Sequence, residues 1–311
     1  MRLIWLAASI LLSTTKCAPS VVVYVESGGG AVNGGQAGAG GGNAGGGNAG
    51  VPPTQSGNAG EPSAGGAEAA GVGGEGGEPS GSAGEGGVPE PLGPPARLLI
   101  HYRFDQFETS RAEDSSGNDL HGTFGGTTLP VETAGHLGSA LALDSAQQQF
   151  VAMPPYVLRN RGSVSVACWL KLARAVAWDR LFDFNHGTDT WWFFSPTGWN
   201  SNTGNFGTRM ALRTSSVQPV ELQLTSTLPI QSWHHVAIVL SRPHLQYYQD
   251  GELAGALNDL PIGSDALGET SENWIGRSVF AADPYLSAAI DDFRVYTGAL
   301  TASEVADLAA Q

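Results

Sequence analysis

Positive charge is scarce in this sequence. Its 311 residues include 15 lysines and arginines against 29 aspartates and glutamates, which gives a formal net charge of −14 at pH 7. After Lys16, Lys171 is the only lysine. Nucleic acids and anionic lipids attract basic surfaces, so this composition argues against nucleic acid as a partner and against direct electrostatic binding to a membrane.

Cysteine is nearly absent, with two residues in the whole chain. Small exported domains often depend on several disulfides. Here Cys17 lies at the start of the chain and Cys168 within the domain, so we expect no disulfide framework. Cys168 lies in the apolar run Ser163–Leu172 and is predicted to be a small buried residue. A hydrophobic core must therefore stabilise the fold.

Long hydrophobic runs are also missing. The run 3–12 covers ten residues after Arg2, which is too short to span a bilayer and typical of a secretory signal over residues 1–16. Cys17 falls where bacterial lipoprotein leaders carry their acylated cysteine, although Lys16 replaces the usual small residue before it. Two outcomes stay open for this exported chain: lipidation at Cys17 and attachment to a membrane or the outer cell surface, or cleavage elsewhere and secretion.

Residues 17–96 form a second region, composed mainly of Gly, Ala, Asn, Pro and Glu. The region contains seven glutamates and no basic residue, and it shows no apolar periodicity. Such a composition buries too little apolar surface to offset the entropy of ordering, so we expect a disordered linker. A Gly-rich coil of this length would reach roughly 50 Å. The short apolar run Val21–Val25 has no assignment from sequence.

Residues 97–311 form the globular domain, in which short apolar runs alternate with turn residues. This spacing is typical of an all-β sandwich or barrel. Within Ser163–Leu172 every second residue is apolar, as expected of a core strand. The predicted strands are 98–104, 140–143, 150–152, 163–172, 181–184, 191–195, 220–224, 233–241, 245–249, 252–257, 273–275 and 288–296.

Two local signals are stronger than the rest. Asp250 and Gly251 separate two predicted strands, and both residue types tolerate the positive φ angles of a type I′ hairpin. Residues 301–310 are predicted to form one short C-terminal helix, because Thr301 and Glu304 have the spacing of a capping box.

Several stretches of the domain resemble the laminin G-like, concanavalin A-like jelly-roll family. The resemblance covers residues 99–308 and depends on the order of the stretches more than on any one of them. It implies a sandwich of two curved antiparallel sheets, with the first and last strands of the domain adjacent. The stretches are 102–105 (YRFD), 114–118 (DSSGN), 135–143 with 150–151, 166–170, 233–237 (WHHVA), 248–251, 273–277 (NWIGR) and 290–296 (IDDFRVY) with 299–301 and Glu304.

The resemblance also implies a calcium ion, which needs six to eight oxygen ligands. Adjacency of the first and last strands would bring Asp105 toward Asp291 and Asp292. Asp114 and Asn118 complete the predicted ligand set. The alternative is that the stretch containing Asp114 is a turn in which the carboxylate accepts backbone hydrogen bonds.

Aromatic residues concentrate between residues 191 and 206, next to amides and a carboxylate. A sugar site combines an aromatic platform with a few fixed polar groups, so this region is the predicted ligand-binding site. The alternative is that all of these aromatic residues pack in the interior. The predicted ligand-binding residues are Asp189, Trp191, Trp199, Asn200 and Asn202.

Catalytic patterns are absent. The same fold class includes retaining glycosidases, whose two carboxylates must lie about 5 Å apart, usually from alternate residues of one strand. No such spacing occurs, and Asp179 and Asp183 are interpreted as structural partners of Arg180 or Arg174. The sequence therefore predicts a non-catalytic recognition module that binds a glycan or polysaccharide, or adheres to a surface protein, with calcium stabilising the fold. The alternatives are a structural or protein-interaction domain without sugar binding and, third, a glycoside hydrolase.

Overall fold

The computed structural model describes residues 21–25, 93–107, 110–200 and 204–311. The predicted signal peptide, Cys17, most of the predicted linker and Asn202 lie outside the described residues. The described part is mostly β-structure and ends in one short helix. Within it, no helix is both long and apolar enough to cross a membrane.

The strands, in chain order, are β1 (Val21–Val25), β2 (Arg97–Tyr102), β3 (Arg111–Ala112), β4 (Gly122–Gly125), β5 (Val131–Ala134), β6 (Ser139–Leu143), β7 (Phe150–Met153), β8 (Ser163–Leu172), β9 (Phe182–Asn185), β10 (Trp191–Asn200), β11 (Asn205–Thr214), β12 (Val217–Leu224), β13 (His234–Ser241), β14 (His244–Gln249), β15 (Glu252–Leu257), β16 (Glu272–Ile275) and β17 (Ala288–Thr297). The helix is α1 (Ala302–Ala309), and two short 3-10 helices span Ser145–Gln147 and Ser264–Leu267.

These strands form two sheets. The first has the order β1-β12-β11-β10-β9-β16-β7-β4-β3, and the second has the order β15-β14-β13-β8-β17-β6-β5, with β2 also paired to β17. Apart from β1, which pairs in parallel with β12, the strand pairs are antiparallel. The predicted jelly-roll β-sandwich is confirmed.

The core lies between the two sheets. Alternate residues of β8, including Val166 and Leu170, pack in one cluster with Phe184, Trp192 and Phe194 of the first sheet. All five of these side chains are fully buried. Strict alternation along β8 produces this arrangement because successive strand residues face opposite sides of a sheet.

The first and last strands of the domain are neighbours, as the family resemblance implies. Strand β17 pairs along one side with β8, while its other side pairs first with β6 and then with β2. The register shifts between Asp291 and Arg294, and Asp292 has a φ of 52°. Because of this bulge, the side chains of Asp291 and Asp292 do not follow the regular alternation of a β-strand.

The predicted hairpin and helix are both present. Asp250 and Gly251 have φ angles of 53° and 86°, as a type I′ turn requires. The Thr301 side chain accepts a hydrogen bond from the Glu304 N–H at 3.2 Å, and a Glu304 carboxylate oxygen accepts one from the Thr301 N–H at 2.8 Å. Helix α1 packs its buried face on the outer side of the second sheet.

Strand β11 is the main element that the sequence did not predict. Met210 and Leu212 face the core, whereas Arg209 and Arg213 alternate with them on the outer face. Gly207 and the two arginines weaken the apolar pattern of this segment. The charge of Arg209 is accommodated by an ion pair with Glu221. The short strands β3, β4 and β5 were also not predicted.

Strand β1 is formed by the apolar run that the sequence left unassigned. Val21–Val25 pairs residue by residue with the edge strand β12, from Val21 opposite Val220 to Val25 opposite Leu224. A run of β-branched and aromatic residues is well suited to such pairing. The chain before the domain therefore contacts the sandwich through this strand.

Candidate functional site

Four consecutive aromatic residues in β10 lie on both faces of the first sheet, and all are buried. Trp192 and Phe194 face the core. Trp191 and Phe193 face outward but pack against Phe280 and have only 5% and 3% of their surface exposed. The prediction that Trp191 contacts a ligand is not supported by its position, because a loop after β16 covers its ring.

Trp199 and Phe206 form a different environment, which we call the aromatic corner. They are directly opposite each other in the β10–β11 register. Their rings lie 5.0 Å apart between centroids at an interplanar angle of 68°. Trp199 has 38% and Phe206 has 47% of its surface exposed. The two rings therefore contact each other edge to face, and part of each side chain stays open to solvent.

The predicted ligand-binding residues do not form one site. Trp191 and Trp199 occupy opposite ends of β10, and eight residues of strand span about 26 Å. Asp189 lies beyond the Trp191 end and forms an ion pair with Arg213 at 3.6 Å. Asn200 ends the strand next to Trp199. Only the Trp199 end keeps the geometry of an aromatic platform.

Asp114 has the role given by the alternative interpretation, that of a turn-forming residue. Its oxygens accept hydrogen bonds from the N–H groups of His101, Ser116 and Leu120 at 2.9, 3.0 and 2.9 Å. Burial, the largest single effect, raises the pKa of Asp114, but these hydrogen bonds together lower it below its ordinary value. Asn118 donates to the Leu99 carbonyl at 3.0 Å. Both side chains thus fasten the turn to β2.

The other predicted calcium ligands are divided between two places. Asp105 and Asp291 accept the N–H groups of Ser139 and Leu137 at 3.2 and 2.8 Å, so both hold the β5–β6 turn. Burial, followed by the charges of Asp292 and Asp105, raises the pKa of Asp291 to about 6, although backbone hydrogen bonds oppose this shift.

Asp292 instead hydrogen bonds to the His101 ring and forms an ion pair with Arg294. A cavity of about 500 Å³ opens beside Asp105 and Asp114. Among the described residues, no group of three or more His, Cys, Asp or Glu side chains is placed to hold a metal ion. The five predicted ligands therefore do not fit one calcium site, and calcium binding stays a prediction.

Asp179 and Asp183 are buried on the outer side of the first sheet, next to Arg180. Asp183 lies 4.0 Å from the Arg180 guanidinium and accepts the Val279 N–H at 3.0 Å. Burial raises the pKa of Asp183 to about 6 against the opposing charge of Arg180. Burial also raises the pKa of Asp179. Asp183 thus lies beside Arg180, whereas the buried Asp179 forms no ion pair with an arginine in the described part of the chain.

Sequence reasoning missed an open cavity of about 560 Å³ at the loops that follow β6, β8 and β16. Asp144, Arg174, Asp283 and Tyr285 are among the residues that line it. They come from three segments far apart in sequence, so no local motif could reveal it. The one available signal is that each segment lies in a loop that follows a predicted core strand.

A family model places the chain in a known group. The model described as the concanavalin A-like lectin/glucanases superfamily matches residues 144–306, which is more than half of the sequence. The chain belongs to this superfamily. The fold derived above is the fold that this membership implies, with the matched region extending from the loop after β6 into helix α1.

Solved structures extend the comparison. Domain 4 of AbnA, an extracellular GH43 arabinanase from Geobacillus stearothermophilus solved with arabinotriose, is 25% identical, with a TM-score of 0.59 over 69% of this chain and 98% of that domain. The binding domain of Paraclostridial Mosquitocidal Protein 1 is 13% identical, with a TM-score of 0.51 over 68% of this chain and 52% of its own.

The receptor binding domain of botulinum neurotoxin type G is also 13% identical, with a TM-score of 0.50 over 69% of this chain and 51% of its own. The two toxin domains show the shared fold alone, and this chain corresponds to about half of each. A search of curated protein sequences found no match.

Proposed function

We propose that the domain is a non-catalytic carbohydrate-binding module and that the aromatic corner is its saccharide site. The observation that carries the proposal is the pair of exposed, nearly perpendicular rings of Trp199 and Phe206. The arabinanase domain solved with arabinotriose supports a saccharide as the ligand class, since this chain covers 98% of that domain.

The chemistry of the corner suits a sugar. A pyranose or furanose ring has apolar C–H faces that stack on aromatic rings, while its hydroxyl groups need polar partners at the rim. Asn200 ends one strand and Asn205 begins the other, so both flank the corner in sequence. An exposed Trp and Phe in contact also keep apolar surface in water, and covering that surface with a ligand would be favourable.

The absence of catalysis is part of the proposal. A retaining glycosidase needs two accessible carboxylates about 5 Å apart. Asp179 and Asp183 are 1% and 0% exposed, so neither can approach a substrate in this structure. We therefore expect incubation with bound polysaccharide to release no reducing sugar.

Export is proposed from the leader alone. A signal over residues 1–16 and a cysteine at position 17 would place the module outside the cytoplasm, attached through acylated Cys17 or released. Either form would present the module to extracellular or cell-surface glycans.

The test is an affinity measurement with the full chain on a panel of neutral oligosaccharides that begins with arabinotriose, with added calcium and with chelator. We expect Trp199→Ala and Phe206→Ala each to weaken binding about tenfold or more, equivalent to 1.4 kcal/mol per tenfold change, because each removes one ring face. The melting temperature should stay unchanged, since both side chains are exposed.

Tyr156→Ala is the matched control. Tyr156 is an aromatic residue with 44% of its surface exposed, but it lies in the loop after β7. Its substitution should leave the affinity unchanged. Equal affinity of the wild type and Trp199→Ala would refute the placement of the site. A loss of binding with chelator would support the calcium prediction.

Protein interaction is the second candidate function, favoured by apolar residues near the edge of the second sheet. Leu129 and Val131 are 50% and 61% exposed and line a cavity of about 410 Å³. Strand β5 is an edge strand, and exposed edges can pair with another chain. Failure of a folded chain to bind any saccharide on the panel would favour this function.

A further inference from the structure

The open cavity at the loops after β6, β8 and β16 is held in shape by two serines. The Ser145 N–H donates to the Ser287 hydroxyl at 3.1 Å, and the two hydroxyl groups also hydrogen bond at 2.9 Å. The Ala173 N–H donates to the Ser287 carbonyl at 3.0 Å. Arg174 donates to the Ser145 hydroxyl. All three loops are thus connected to one another, so the cavity is formed before any ligand arrives.

One wall of this cavity contains a carboxylate with a fixed orientation. The Oδ2 atom of Asp283 accepts hydrogen bonds from the Arg180 guanidinium at 2.9 Å and from the Ser278 hydroxyl at 2.8 Å. Arg180 is itself buried, with its guanidinium carbon 3.8 Å from the centre of the Phe193 ring. These contacts leave the Oδ1 atom of Asp283 without a partner among the described residues.

Other polar groups in the lining also have no partner in the described part of the chain. Asp144 uses Oδ1 to accept the Ala146 N–H at 2.9 Å, and its Oδ2 atom makes no hydrogen bond. The Gln148 amide and the Tyr285 hydroxyl make none either. A preformed cavity therefore offers acceptors from two carboxylates together with donors from Gln148, Tyr285 and Arg174.

The Tyr285 ring supplies an apolar surface in the same cavity. It packs against the Phe150 ring, with the two centroids 6.2 Å apart and an interplanar angle of 48°. The guanidinium carbon of Arg277 in turn lies 4.9 Å from the centre of the Phe150 ring. The ring is half-buried, which fixes its position without covering it. A fixed aromatic wall beside mixed donors and acceptors is the arrangement that binding sites for polyhydroxylated ligands share.

We infer that this cavity is a second saccharide-binding site, in which the Tyr285 ring contacts the sugar and Asp144 and Asp283 accept hydrogen bonds from its hydroxyl groups. The volume of about 560 Å³ is in the range of small-molecule sites. The two carboxylates outnumber the one guanidinium in the lining, that of Arg174, so a neutral sugar suits the cavity better than an anionic one. This inference rests on the proposed function for its ligand class but uses none of the residues of the aromatic corner.

The experiment titrates the full chain with the same oligosaccharide panel by calorimetry and counts the binding events. We expect two sites in the wild type, one in Trp199→Ala, one in Tyr285→Ala and none in the double variant. Asp144→Asn is a second cavity variant, because asparagine preserves the cap of the 3-10 helix while removing the charge, and it should weaken the cavity site about tenfold.

The outcomes separate the two sites. A single wild-type site that Trp199→Ala abolishes and the cavity variants leave intact would overturn this inference and leave the proposed function standing. A single site abolished by Tyr285→Ala and weakened by Asp144→Asn would support the inference and refute the aromatic corner. A folded chain that binds no saccharide would overturn both.

Discussion

Asp183 shows how a single residue links burial to pH. Its carboxyl is fully buried, and burial raises its pKa from 3.8 to about 6 even though Arg180 lies nearby. Since the folded state holds this proton more tightly than the unfolded state, the charged form destabilises the fold. Stability from this group is greatest at low pH and decreases as the pH rises through the folded pKa.

We therefore predict that Asp183→Asn changes the pH dependence of stability. Asparagine can still accept the Val279 N–H but does not titrate. The melting temperature of the wild type minus that of the variant should decrease between about pH 4 and pH 6 and then level off above about pH 7. Melting curves from pH 4 to 8 measure this difference, and a constant difference would contradict the prediction.

Residue-level prediction from sequence succeeded where only alternation mattered. Strand geometry alone requires Trp191 and Phe193 to face away from Trp192 and Phe194, as the structure shows. It did not establish that the outer pair is covered, since the covering loop lies some 85 residues further along the chain. Trp199 stays exposed because no described segment packs over it.

At the scale of elements, the sequence predicted strands and the helix best where local signals were complete. Ser163–Leu172 and the capping box appear as predicted. Strand β11 was missed because Arg209 and Arg213 interrupt its apolar pattern. The carboxylates that pair with these arginines, Glu221 and Asp189, come from other segments of the chain. Pairing across the sheet is information that a single segment does not contain.

Helix α1 offers a test of capping at this scale. Thr301→Ala removes the side-chain oxygen that accepts the Glu304 N–H. We expect a loss of about 1 kcal/mol in the free energy of unfolding. For a domain of this size, that corresponds to a decrease of roughly 2–4 °C in melting temperature. Ser303→Ala is the control, because Ser303 is exposed in the first turn, and it should cause little change.

At the scale of the whole molecule, strand β1 determines how the domain is attached to its N-terminal region. Val21 pairs with Val220, which in turn pairs with Leu212. Phe206 lies six residues from Leu212 along β11, or about 20 Å. Cys17 precedes Val21 by four residues, at most about 14 Å of chain. Val21 and the aromatic corner therefore lie toward opposite ends of the β11–β12 pair.

This arrangement has a consequence for presentation. If residues 26–92 alone connected an attachment at Cys17 to the domain, the distance between Cys17 and the domain would be that spanned by a Gly-rich coil, roughly 50 Å. With β1 paired to β12, an attachment at Cys17, as proposed, would stay within about 14 Å of chain from Val21, at the end of β12 away from the aromatic corner. The module would then face outward from any surface that holds its N-terminus.

Hydrogen exchange in the full chain tests this pairing. Val23→Pro removes an N–H and restricts φ at the centre of β1, so it should disrupt the parallel pairing with Leu222. Amides of β12 that face β1 should then exchange at least about tenfold faster, because they lose their hydrogen-bond partners in β1 and become open to solvent. Amides of β12 that face β11 should stay protected. Ala31→Pro lies beyond β1 and should leave both sets unchanged. Unchanged exchange in Val23→Pro would mean that β1 does not hold the domain in solution, and the orientation inferred for the aromatic corner would fail with it.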